Sequence, residues 1–172
     1  LGQLYYDIRG GLSAAKTPEE YGAFPYDPYS HTPAHSGAQQ PGMTGQVKEE
    51  ILTRFGELGC TVAHGCIRFE PYLLKRSEFL TTEQVFKYYD VFHQKRKLTI
   101  LENQLAYTFC QVPVIYTLSD KDNHILLELS DGSKVELDGN VLDEKQSNLI
   151  FNRDGKTAQI KVFMNNNILF NR

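Results

Sequence analysis

His124-Ile125-Leu126-Leu127-Glu128-Leu129-Ser130-Asp131-Gly132-Ser133-Lys134-Val135-Glu136-Leu137 is the stretch whose reading decides the fold. Two apolar-rich runs, His124 to Ser130 and Ser133 to Leu137, flank an Asp-Gly pair. That pair tolerates the positive φ angles of a tight hairpin turn, and two strands joined so closely must run antiparallel. It is the strongest hairpin signal in the chain. Outward from it the same period of two recurs, predicting strands at Gln84 to Phe92, Leu98 to Leu101, Leu105 to Leu118 and Thr157 to Phe163, the last ended by an Asn165-Asn166-Asn167 turn. Asp143 to Phe151 reads equally as a short helix or a strand. Further upstream, Thr61-Val62-Ala63, a His64-Gly65 turn and Cys66-Ile67-Arg68-Phe69 form a short hairpin, closed by Pro71 and the Leu73-Leu74 pair. Strands with turn residues every 8 to 12 positions or so predict an antiparallel β-sandwich.

One segment before these strands has a helical period. Thr44 is a good N-cap, and Val47, Ile51, Phe55 and Leu58 fall within an arc of about 80°, a face to set against a core. Gln46, Glu49, Glu50 and Glu57 fall on the solvated side, Glu50 is placed to pair with Arg54, and Gly59 supplies a left-handed stop. Residues 1–43 are rich in Gly, Pro and Tyr. Thr17-Pro18-Glu19-Glu20-Tyr21 has the cap, first-turn proline and acidic start of one short helix, and the rest is expected to be extended or looped. The expectation is therefore a mainly β (α+β) chain, an antiparallel β-sandwich over residues 60–172. It is preceded over residues 1–59 by a loop-rich arm and one amphipathic helix. Phe24, Tyr26 and Tyr29 in that arm need a surface to lie on: this chain, a second subunit, or another part of the same polypeptide.

A length of 172 residues allows burial of roughly 70% of the unfolded surface. A hydrophobic fraction of 41% and a charged fraction of 23% are those of a folded domain. The net charge of −3 gives no general footprint for nucleic acid, and Lys95-Arg96-Lys97 reads as a solvated turn between strands. No apolar run approaches the roughly 20 residues of a membrane helix, so neither nucleic acid nor membrane is an expected partner. Three cysteines, Cys60, Cys66 and Cys110, fit a reduced, cytoplasmic setting. Cys60 and Cys66 flank a hairpin where they could face one another, and Cys110 reads as a buried residue of an apolar strand.

Candidate chemistry gathers in the arm. Glu49 and Glu50 point roughly 100° apart and cannot converge on one bond. His31 and His35 have the spacing of helical metal ligands, but Pro33 between them opposes a helix; no metal or other cofactor is expected. Asp27, Tyr29, His31 and Gln40 combine aromatic and hydrogen-bonding groups suited to a sugar. At Gly42-Met43-Thr44-Gly45 the glycines let the backbone pass close to a ligand, and the first-turn amides favour an anion such as phosphate. An N-cap with two turn glycines accounts for the same residues without a ligand.

Thr44-Gly45 before a helix, Gly56-Glu57-Leu58-Gly59, then Gly65-Cys66-Ile67-Arg68-Phe69-Glu70-Pro71 resembles the end of the catalytic domain of cellobiose-phosphorylase-like enzymes of the six-hairpin glycosidase superfamily. In that family the strand leads into a C-terminal β-sandwich. The resemblance implies that this chain is the C-terminal part of a glycoside hydrolase or phosphorylase-like protein, with Thr44 and Gly45 at the phosphate. It also implies that the general acid lies in an earlier barrel segment without counterpart here, so the chain alone is not expected to turn over a substrate. The family's Trp-containing continuation is replaced here by Gln46-Val47-Lys48. A stand-alone module binding glycans or a protein through its Tyr-rich arm is the alternative.

Overall fold

The computed structural model describes residues 2–11, 46–120 and 123–170, with side chains from residue 51 onward and at residues 2–6. The chain divides into two compact units, Leu1–Arg54 with Arg172, and Phe55–Asn171. In the first, helix α1 spans Gly2–Gly11, where the sequence led us to expect extended chain. Tyr5 and Tyr6 pack edge to face there, with ring centroids 5.1 Å apart. Helix α2 spans Gln46–Glu57, as the 3.6-residue period predicts. Phe55 and Leu58 join the core of the second unit, whereas Ile51 is 53% exposed and Glu57 is buried, reversing the expected roles of these two. Gly59 adopts φ +65 and ends the helix, and the chain turns at once into a strand.

The second unit is mainly β. β1 (Cys60–Ala63) and β2 (Cys66–Phe69) form one ribbon, and β3 (Gln84–Tyr89) and β4 (Lys95–Ile100) a second. β5 (Gln104–Phe109), β6 (Val112–Ser119), β7 (His124–Leu129), β8 (Lys134–Asp138) and β9 (Thr157–Asn165) make a five-stranded sheet of order β5-β6-β9-β7-β8. Helix α3 (Glu144–Phe151) resolves the ambiguous segment as a helix, with the Asp143 carboxylate accepting from the Gln146 amide at 2.9 Å as N-cap. Every ladder is antiparallel except β6 with β9. The C-terminal strand thus enters between two local hairpins.

Alternation along the sheet puts Leu105, Val114, Tyr116, Ile125, Leu127, Ile160, Val162 and Met164 on one buried face. The β1–β2 ribbon and α3 cover that face. Phe69 meets Tyr116 edge to face at 6.1 Å, and the Ser147 hydroxyl accepts from the Ile67 amide at 2.9 Å while donating to the Leu142 carbonyl at 3.1 Å. Ribbon and sheet are the two layers of the sandwich.

Three strand readings need correction. Leu105 to Leu118 is two strands, because Cys110 (φ 50) and Gln111 (φ 64) form a turn of two left-handed residues. Cys110 is accordingly a half-exposed turn residue rather than a buried strand residue. Lys95-Arg96-Lys97 lies in β4 rather than in a turn, since the turn forms earlier, where the Asp90 carboxylate accepts from the Phe92 and Gln94 amides, each at 2.9 Å. Cys60 pairs with Phe69 and Cys66 with Ala63 in the ladder, so the two thiols do not face one another, and all three cysteines are free. No helix among the described residues is long and apolar enough to cross a membrane.

Candidate functional site

The β3–β4 ribbon is tethered beside β5 at both ends. At one end the Leu80 amide donates to the Gln104 carbonyl at 2.9 Å and the Leu101 amide to Gln104 Oε1 at 2.9 Å. At the other end Gln111 Nε2, in the β5–β6 turn, donates to the Asp90 carbonyl at 2.9 Å. A hollow of about 270 Å³ opens at this second end. Its walls come from the ribbon tip (Tyr88, Asp90, Val91, Phe92, Arg96), the β5–β6 turn (Gln111, Pro113), the start of the β7–β8 turn (Ser130) and the entry to β9 (Gly155, Thr157, Ala158).

Two rings face this hollow for different reasons. Tyr88 stands across the ladder from Arg96 and stacks on Phe86, with centroids 5.7 Å apart and planes inclined by 13°. Burial pushes its hydroxyl pKa up, more than nearby Arg96 draws it down, so it remains a neutral donor and acceptor at physiological pH. Phe92 is 62% exposed and lies against Gly155, whose φ is +78. A Cβ there would meet the tip of the exposed Phe92 ring, which would have to swing aside, and the backbone angle itself favours glycine. The Gly155 carbonyl accepts from the Ser130 hydroxyl, which joins the two loops of that wall.

The polar groups are held as firmly. Arg96 Nε donates to Asp90 Oδ2 at 2.7 Å, and its Nη2 donates to Gln94 Oε1 at 2.8 Å. Burial pushes the Asp90 carboxyl up. Hydrogen bonds from Arg96 and from the Gln94 and Phe92 amides outweigh that effect and hold it below the ordinary carboxylate range. Asp90 therefore stays ionised and makes a poor proton donor, which suits binding better than acid catalysis. Two buried oxygens of the lining, Gln111 Oε1 and Thr157 Oγ1, have no hydrogen-bond partner. Each such atom carries a desolvation cost of about 1–3 kcal/mol.

Aromatic faces and a fixed ion pair make a site that can bind a polar, ring-shaped molecule. Among the described residues no group of three His, Cys, Asp or Glu side chains is placed to hold a metal ion. Asp27, Tyr29, His31, Gln40, Thr44 and Gly45, the candidates from sequence, lie outside the described residues. None of the hollow's residues was among those candidates. The one local signal for it is the run Tyr88-Tyr89-Asp90-Val91-Phe92, dense in rings and followed by Lys95-Arg96-Lys97. No family model matches the chain, and no curated protein matches it either.

Proposed function

We propose that the chain is the C-terminal part of a carbohydrate-active protein of the glycoside hydrolase or phosphorylase type, and that its β-sandwich contacts sugar while the reacting carboxylates lie elsewhere. The observation that supports this most is the hollow beside the β3–β4 ribbon, where the Tyr88 and Phe92 rings flank the Asp90–Arg96 pair and Gln111. Rings with fixed directional donors and acceptors are what a sugar's apolar face and hydroxyls require. In this reading Asp27, Tyr29, His31 and Gln40 contact carbohydrate through the arm, and Thr44 and Gly45 bind phosphate at a helix N-terminus. The remainder of the parent polypeptide, or a second subunit, covers residues 1–43.

A second reading, a stand-alone glycan-binding module, is favoured by one fact: every residue of the hollow belongs to the unit Phe55–Asn171. Calorimetry with short neutral oligosaccharides tests what the readings share. Saturable heat is expected, weakened about tenfold by Arg96→Ala, which removes a charged hydrogen-bond donor from the hollow's wall. Absence of saturable binding to any sugar overturns both. Turnover separates them. The parent reading expects no cleavage or phosphorolysis by these 172 residues and activity once an upstream barrel is supplied; a supplied barrel that gains nothing from this chain leaves the module reading.

A further inference from the structure

The outward face of the β3–β4 ribbon carries a pattern that the hollow does not use. Ladder partners on this face are Val85 with Thr99, Lys87 with Lys97, and Tyr89 with Lys95. All six are exposed, Val85 by 56% and Tyr89 by 54%. Two lysines therefore stand directly opposite one another, an arrangement that destabilises a ladder. Lys95 Nζ lies 5.9 Å from the centre of the Tyr89 ring, and no carboxylate among the described residues pairs with any of the three ammonium groups. The neighbouring carboxylate, Asp90, is committed to Arg96 at 2.7 Å. A chain of net charge −3 thus concentrates, on one short strip, an exposed ring and three lysines that pair with no carboxylate among the described residues.

We propose that this strip docks a carboxylated polysaccharide chain, a uronate polymer, along the ribbon; the proposal rests on the carbohydrate reading above and names the class of sugar. The single exposed ring on this face and the chain's net charge of −3 favour this ligand over nucleic acid. Lys95 and Lys97 are two residues apart on one strand and so about 6.6 Å apart along it. Single-stranded nucleic acid is held by several stacked bases, whereas this face offers only Tyr89. Tyr89 supplies a platform for one sugar face, and the opposed Lys87 and Lys97 relieve their repulsion by sharing carboxylates. Lysines also guard exposed strand edges against association. An edge guard, however, has no need of an exposed tyrosine and valine beside the charges.

Calorimetry of the full chain with a short oligogalacturonate, beside a neutral glucan oligomer of equal length, tests the proposal. Saturable binding that weakens with added salt is expected. Lys97→Glu should lower that affinity about tenfold and yet raise the unfolding midpoint, because it converts the opposed lysines into a cross-strand ion pair. Lys87→Gln should lower the affinity without that gain in stability. Neutral glucan bound but oligogalacturonate not, or oligogalacturonate affinity unchanged in both variants, overturns the proposal while the carbohydrate reading stands. No binding of either sugar overturns both. Tighter binding to an oligonucleotide or to anionic phospholipid vesicles than to oligogalacturonate also overturns it, as does a variant effect confined to aggregation, which is the signature of an edge guard.

Discussion

Tyr116 has two partners in the core and no exposed surface. Its hydroxyl donates to the Leu58 carbonyl at 2.6 Å and accepts from the Tyr107 hydroxyl at 2.9 Å, tying the end of the helical segment to the sheet. Burial drives both phenol pKa values upward, so neither ionises over the range in which the protein is folded. Tyr116→Phe keeps the ring but leaves the Leu58 carbonyl and the Tyr107 hydroxyl short of a partner. A loss of about 1–3 kcal/mol is expected from urea midpoints. Glu128 adds a pH dependence. It accepts from Lys161 Nζ at 2.8 Å and from Gln159, and lies 3.5 Å from Lys134 Nζ. These contacts, that with Lys161 foremost, hold its carboxyl below the ordinary 4.5 despite partial burial. A lowered folded value means that the stabilisation is present above 4.5 and disappears as pH falls through the folded value. Glu128→Gln should therefore cost about 1 kcal/mol at neutral pH, and the gap to the parent should close in acid when stability is followed across pH.

Gly59 shows why an element boundary can matter more than the element. Its amide donates to the Gly56 carbonyl at 3.1 Å, its carbonyl accepts from the Glu70 amide at 2.8 Å, and a Cβ at this position would overlap the Glu70 carbonyl group. Gly59→Ala combines a left-handed backbone with a backbone clash. More than about 2 kcal/mol of destabilisation is expected by denaturant titration, with the midpoint lowered and the slope preserved. The stop at Gly59 was legible because glycine after an amphipathic run is the common helix terminator. The hairpins at His64-Gly65 and Asp131-Gly132 were legible because their turn residues announce positive φ. The β5–β6 turn was not: Cys110 and Gln111 carry no such preference, and the register of strands with apolar residues on both sides holds them in place. Helix α1 was missed because Gly2, Gly10 and Gly11 disfavour a helix intrinsically. The hollow was illegible for a different reason. Its walls come from residues as far apart as Tyr88 and Ala158, and only the sheet order brings them together.

At the scale of the second unit, that order has a consequence that thiol chemistry can read. β9 is last in the chain yet lies between β6 and β7, in parallel register with β6 from Val114 with Ile160 to Ser119 with Asn165. The two flanking hairpins share one buried face only once this strand is inserted, so the core should open as one cooperative body rather than hairpin by hairpin. Cys60 is part of that core, while Cys66 and Cys110 are partly exposed. Burial pushes the Cys60 thiol up to about 11, which removes thiolate as well as access. Under native conditions a thiol reagent should therefore label Cys66 and Cys110 promptly, and Cys60 only through global opening. The slow Cys60 phase should track unfolding stability across a urea series and accelerate in Tyr116→Phe, whereas the two faster phases should not. Cys60 labelling at the pace of Cys66 would mean that the helix-to-strand junction opens by itself, independently of the sheet that β9 closes.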